Sequence, residues 1–133
     1  MAEDLGVRFI ELAAYLVDRE RRTIPEIFAE EGEVGVRKLE SRYLREVCEL
    51  YESFVLSTGG GTPCFNGNME YMNGQGRTIF LNTDVEVIVE RLIRGKHKRP
   101  MVSRLDDGEI HDFVCRHLQE RLPFYALAQE EIK

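Results

Sequence analysis

The sequence predicts an α/β fold in which helices cover both faces of a parallel sheet. Two observations carry that expectation. Short apolar runs at residues 8–12, 54–58 and 78–81 alternate with longer stretches of helical periodicity, the pattern of strands joined by helical crossovers. The second run ends on three consecutive glycines, Gly59, Gly60 and Gly61, where an open parallel sheet places its ligands beyond the strand ends. There is no internal repeat and no low-complexity linker, so residues 1–133 are expected to form one domain.

Taken in order, residues 1–5 read as the tail of a helix ended by Gly6, since glycine commonly follows a helix C-terminus. Residues 8–12 follow as a strand. Thr23 and Glu26 stand three apart before an apolar periodic stretch, so hydroxyl and carboxylate can each satisfy a free backbone N–H in a capping box. Residues 35–51 read as a longer helix whose Val36, Leu39, Tyr43, Val47 and Leu50 form one buried face. Residues 54–58 are a buried strand, and 66–73 a short helix ended by Gly74 and Gly76.

Residues 78–81 are a third strand, and Asp84 starts a helix with Val85, Ile88, Val89, Leu92 and Ile93 on one side. The stretch 95–104 is basic, aperiodic and contains Pro100, which predicts a mobile surface loop. Asp106 or Asp107 opens the last helix, with Ile110, Phe113, Val114, His117 and Leu118 facing inward. Pro123 is expected to bend or restart it, because proline lacks an N–H and its ring crowds the preceding turn. Three strands are few for such a sheet, so the fold reads as incomplete.

Composition excludes several classes. The net charge is −6, the wrong sign for a face that tracks a nucleic-acid backbone. Cys48, Cys64 and Cys115 lie far apart with no CxxC pair, which argues against a disulfide framework or zinc site and fits a reducing cytosol. No apolar run approaches the roughly 20 residues of a membrane-spanning helix, and the first residues lack the basic and apolar regions of a secretory signal. A cytoplasmic protein is expected.

Four features could carry chemistry. The glycine triplet can let a ligand approach the backbone closely, or it can be only a tight turn; no Lys-Ser or Lys-Thr follows it. A planar guanidinium such as that of Arg37 or Arg121 suits a carboxylate, but Arg37 lies near Glu33 and Glu40, and an exposed pair with either is the plainer reading. The loop Lys96-His-Lys-Arg-Pro100 could close over a phosphate donor or be ordinary surface. Of His97, His111 and His117, the last lies on an apolar helix face and reads as packing.

Together these pieces resemble the shikimate kinase family. Phe9-Ile-Glu-Leu-Ala13 is similar to the family strand that ends in an Asp-x-Asp pair. Thr23-Ile-Pro-Glu-Ile-Phe28, Gly32-Glu-Val-Gly-Val-Arg37 and Glu40 resemble its "SIxEIF…GExxFRxxE" stretch. Val55-Leu-Ser-Thr-Gly-Gly-Gly61 looks like its substrate loop, Arg99-Pro100 like its lid, and Glu120-Arg121-Leu-Pro-Phe-Tyr125 like its "xRxPxY" end.

The resemblance implies a three-layer P-loop-kinase sheet and ATP-dependent phosphorylation of the shikimate 3-hydroxyl, a step towards chorismate and the aromatic amino acids. It assigns shikimate to Arg37, Gly59, Gly60, Gly61 and Arg121, and ATP to Arg99, the catalytic lid cation, with Arg91 near the adenine. Mg²⁺ enters with ATP, reached by Glu11 through water, and the chain acts as a monomer under a lid over about residues 95–105.

Three departures shape the expectation for this polypeptide. The family's GxxGxGK[ST] loop and its first central strand fall upstream of Met1, and the motif does not occur in these residues. The family pair of acids is Glu11 and Ala13 here, and alanine can neither bind hydroxyls nor take a proton. The family also continues beyond Tyr125 through a further strand and helix. The sequence therefore reads as a shikimate-kinase-like domain truncated at both ends and impaired or inactive alone. The alternatives are a non-catalytic shikimate-binding relative or remnant and, less in keeping with Arg37, the glycines and Arg121, a sugar-acid kinase such as gluconate kinase.

Overall fold

The computed structural model describes residues 6–95, 102 and 104–133. Its elements are β1 (Arg8–Glu11), α1 (Leu12–Glu20), α2 (Ile24–Leu50), β2 (Phe54–Ser57), a 3₁₀ turn (Thr62–Cys64), α3 (Asn68–Gln75), β3 (Ile79–Leu81), α4 (Val85–Gly95), α5 (Asp107–Tyr125) and β4 (Glu130–Ile132). They fall into two compact units, residues 1–75 and 76–133. Each described strand pair is parallel, so the α/β class with parallel pairing holds.

In the first unit β1 and β2 pair with Arg8 opposite Phe54 and Glu11 opposite Ser57. Helix α1 starts at Leu12 directly from the strand, with Glu11 as N-cap but without a side-chain capping bond. The core gathers Leu12 and Leu16 from α1 with Ile27, Val36, Tyr43 and Leu44 from α2. The i, i+4 spacing of the α1 pair and the three- and four-residue steps on α2 bring those side chains onto facing stripes. Tyr43 closes the core edge by donating its hydroxyl to Glu20, which satisfies the one polar atom it buries.

Helix α2 opens with the expected capping box. The Glu26 N–H donates to Thr23 Oγ1 at 3.2 Å and the Thr23 N–H donates to Glu26 Oε1 at 3.1 Å. Thr23→Ala is expected to lower stability by about 1 kcal/mol in denaturant unfolding, the usual cost of a lost cap. The two Thr23 contacts, backbone first, hold the Glu26 carboxyl below its ordinary value of 4.5. Its contribution is therefore present above that value and lost as pH falls through the depressed one; Glu26→Gln should remove this acid dependence.

The stretch α2 is two helices joined at a kink, the second running to Leu50 much as the longer helix expected from residue 35. At Gly32 the backbone takes φ 71° and ψ −175° and kinks it, a conformation essentially reserved for glycine. Val36, Tyr43 and Val47 are buried as expected, and Leu39 packs against the core, but Leu50 is 59% exposed. The expected strand at 54–58 ends at Ser57 and is only half-buried, and the helix expected at 66–73 is displaced to Asn68–Gln75.

In the second unit Ile79 pairs with Glu130 and Leu81 with Ile132. β4 was not expected from its Glu-Glu-Ile sequence; it is held by backbone bonds from Glu130 N–H to Thr78 and from Asn82 N–H to Ile132. Among the described residues β2 pairs with β1 in the first unit and β3 with β4 in the second. The core joins Val89, Val102, Ile110 and Val114, flanked by Phe113 and Leu118. His117 stacks on Phe113 at 3.9 Å between ring centroids, the packing role expected for it.

Helix α5 starts with a second capping box, from Asp106 and Glu109. It continues through Pro123 to Tyr125, so the expected restart does not occur. Gly6 has φ 66°, the left-handed backbone that favours glycine. The expected helix tail at residues 1–5 and most of the loop at 96–104 lie outside the described residues, but Val102 within that loop is 2% exposed and packs in the core.

Candidate functional site

The glycine triplet follows β2 at its carboxyl end and runs into the 3₁₀ turn. The turn closes through Thr62 N–H to Gly59 C=O at 3.2 Å and Cys64 N–H to Gly61 C=O at 3.0 Å. Left-handed φ does not explain the glycines: Gly61 sits at φ −87°, ψ −20°, open to any residue, and Gly59 and Gly60 are not among the positive-φ positions. What Gly61 supplies is space. A Cβ there would lie 2.5 Å from both Arg37 Nη atoms and 2.6 Å from Cζ.

Arg37 thus reaches from α2 across to the loop. Its side chain is 12% exposed, so the plainer reading of a solvated arginine does not hold. Nη1 donates to Glu40 Oε1 at 2.9 Å, while Nη2 lies 3.5 Å from the more exposed Glu33. The Phe65 ring covers the guanidinium at 4.6 Å, a geometry that holds the plane in one orientation. Arg37 Nε is buried without a hydrogen-bond partner among the described residues. An unmet buried donor costs about 1–3 kcal/mol, which an incoming acceptor would recover. The result is a fixed, partly committed cation beside bare backbone, suited to a small carboxylate.

Sequence reading missed the residues that brace this arrangement. Thr62 Oγ1 donates to Glu40 Oε2 at 2.9 Å, and Thr62 is fully buried. Asn68, also fully buried, donates Nδ2 to the Thr62 carbonyl at 2.9 Å and accepts from Arg45 Nη1 at 2.9 Å. Arg37, Glu40, Ser41 and Arg45 share one face of α2 by their three- and four-residue steps. The sequence signal was that face itself, a polar stripe beside the apolar one.

Glu11 is exposed at the end of β1, abreast of Ser57. Arg91 is exposed on α4, and Arg121 is half-buried on α5, both in the second unit. Arg99 lies outside the described residues. Among the described residues no group of three His, Cys, Asp or Glu side chains could hold a metal ion, and no helix is long and apolar enough to cross a membrane.

The fold is shared with known proteins. The solved shikimate kinase of Bacteroides thetaiotaomicron superposes with a TM-score of 0.93 at 45% identity, covering 99% of this chain and 74% of that one. That of Acinetobacter baumannii, solved in complex with shikimate, gives 0.89 at 32% identity, covering 99% and 72%. By fold the chain is a P-loop-type kinase, a transferase.

The shikimate kinase family model matches residues 1–133. Among curated relatives, the shikimate kinase of Bacteroides thetaiotaomicron is 46% identical over 96% of this chain and 73% of its own length. That of Phocaeicola vulgatus is 44% identical over 99% and 75%. The chain belongs to the shikimate kinase family.

Proposed function

We propose that this chain carries the acceptor site of a kinase that moves the ATP γ-phosphoryl group to the shikimate 3-hydroxyl, a step towards chorismate. Arg37 takes the shikimate carboxylate and the backbone of Gly59, Gly60 and Gly61 lies along the ring. The family resemblance adds Arg121 as a second cation for the carboxylate. The observation that carries the reading is the buried Arg37 guanidinium, stacked on Phe65, pressed against Gly61 and left with an unmet Nε donor.

On the donor side the resemblance assigns Arg99 to the ATP phosphates, under a lid that includes it, and Arg91 to the neighbourhood of the adenine. A lone exposed carboxylate, Glu11, fits a Mg²⁺ ion that arrives with ATP and keeps most of its water, rather than a resident metal. When bound, that ion neutralises phosphate charge. Phosphoryl transfer is mainly positioning and charge stabilisation, so arginines and backbone N–H groups supply much of what the acceptor half needs.

Turnover by this polypeptide alone is expected to be weak. Ala13 is half-buried on α1 and cannot accept the hydroxyl proton; a missing general base costs roughly 10²–10⁴ in rate. The 133 residues also contain no GxxGxGK[ST] loop to cradle the ATP phosphates. We place the chain in the cytoplasm as a monomer.

Calorimetric titration of the 133-residue chain with shikimate, then with Mg²⁺–ATP, followed by a phosphoryl-transfer assay, tests the reading. Shikimate binding with weak ATP binding and slow or absent turnover is the expected outcome. Lack of shikimate binding would overturn the acceptor site. Turnover at the usual kinase rate of about 1–100 s⁻¹ would overturn the impairment.

A further inference from the structure

Glu40 binds Arg37 through one oxygen only. Its Oε1 accepts from Arg37 Nη1 at 2.9 Å, while Oε2 accepts from the Thr62 hydroxyl at 2.9 Å. A carboxylate free to rotate beside a guanidinium tends to pair with it through both oxygens, which would occupy a second donor. We infer that Thr62 is a positioning residue for the shikimate site: by holding Glu40 Oε2, it keeps Glu40 one-handed and leaves an edge of Arg37 for the ligand carboxylate. This rests on the acceptor-site reading above.

Thr62 is itself held on its other side. The Asn68 amide donates to the Thr62 carbonyl, and Arg45 Nη1 donates both to Asn68 Oδ1 and to the Ser41 carbonyl at 3.1 Å. Asn66 Nδ2 ties to Ser41 Oγ, which donates to the Arg37 carbonyl. Segment 62–68 is thereby fastened along the polar face of α2, so the hydroxyl that grips Glu40 does not wander. Such preorganisation favours a ligand because the ordering is complete before it arrives.

The test compares shikimate dissociation constants for the unchanged chain, Thr62→Ser and Thr62→Val, with thermal unfolding of each as a fold control. Serine keeps the hydroxyl and loses the methyl; valine keeps the shape and loses the hydroxyl. The inference predicts serine within about twofold of the unchanged chain and valine about tenfold weaker, the effect of one charge-assisted hydrogen bond. If Thr62→Val does not fold, Thr62→Ala takes its place with the same expected weakening. Valine or alanine binding as well as threonine, or serine weakened as much as valine, would overturn it and leave Thr62 a packing residue. Failure of the unchanged chain to bind shikimate would instead sink the acceptor-site reading and this inference with it.

Discussion

Arg37→Ala is expected to weaken shikimate binding by about a hundredfold, the loss of two charge-assisted hydrogen bonds at about 1.5 kcal/mol each. The figure follows from what the guanidinium offers. Glu40 takes Nη1, Glu33 stands 3.5 Å from Nη2, and Nε has no partner among the described residues. A carboxylate that displaces the loosely placed Glu33 meets Nη2 and Nε side by side, the two-point contact that arginine makes with planar anions. Arg37→Lys keeps the charge but not the fork, and its loss should be about tenfold. Titration calorimetry of both variants checks the order. A lysine variant that binds as tightly as the unchanged chain would mean that charge alone matters and that the fixed plane under Phe65 is irrelevant.

Gly61→Ala should separate binding from stability. The backbone at Gly61 is in the ordinary helical region, so alanine fits it without strain and can raise stability by about 0.4–1 kcal/mol through the unfolded chain. The added methyl, however, would lie 2.5 Å from the Arg37 Nη atoms. The guanidinium is the end of a flexible side chain and must move. A displacement of about 1 Å at a binding group can cost on the order of a hundredfold, so shikimate affinity should fall about 10–100-fold while the unfolding midpoint holds or rises. Gly74→Ala on α3 is the control, since its methyl would meet nothing within 4 Å. Comparable losses at both positions would contradict the crowding argument.

Much of the fold was legible because apolar runs and capping pairs are local features of the sequence. β1, β2 and β3 are apolar runs, and the capping boxes at Thr23 and Asp106 are short-range chemistry with a fixed spacing. β4 was not legible: Glu130 and Glu131 carry no apolar alternation, and the strand exists through parallel backbone pairing to β3. α1 lacks a capping side chain at Glu11, so nothing marked its start. The break within α2 falls at Gly32, whose glycine-only conformation divides the stretch into two helices, as the separate starts at Thr23 and near residue 35 predict.

The site divides in the same way. Arg37 and the glycine triplet stood out as types suited to a carboxylate and to close approach. That Arg37 is buried was not legible, because Phe65 and Gly61 cover it from 24 and more residues away. Thr62, Asn68 and Arg45 are ordinary polar residues in sequence, and only the folding of segment 62–68 onto α2 joins them. Pro123 shows the opposite limit, since a residue expected to bend or restart α5 lies within it without ending it.

Solving this chain with shikimate bound is the most direct measurement. A ligand carboxylate within hydrogen-bond reach of Arg37 Nη2 and Nε, with Glu33 turned away and the ring against residues 59–61, is the predicted result. A bound ligand that leaves Arg37 in contact with Glu33, its Nε still unmet, would contradict it.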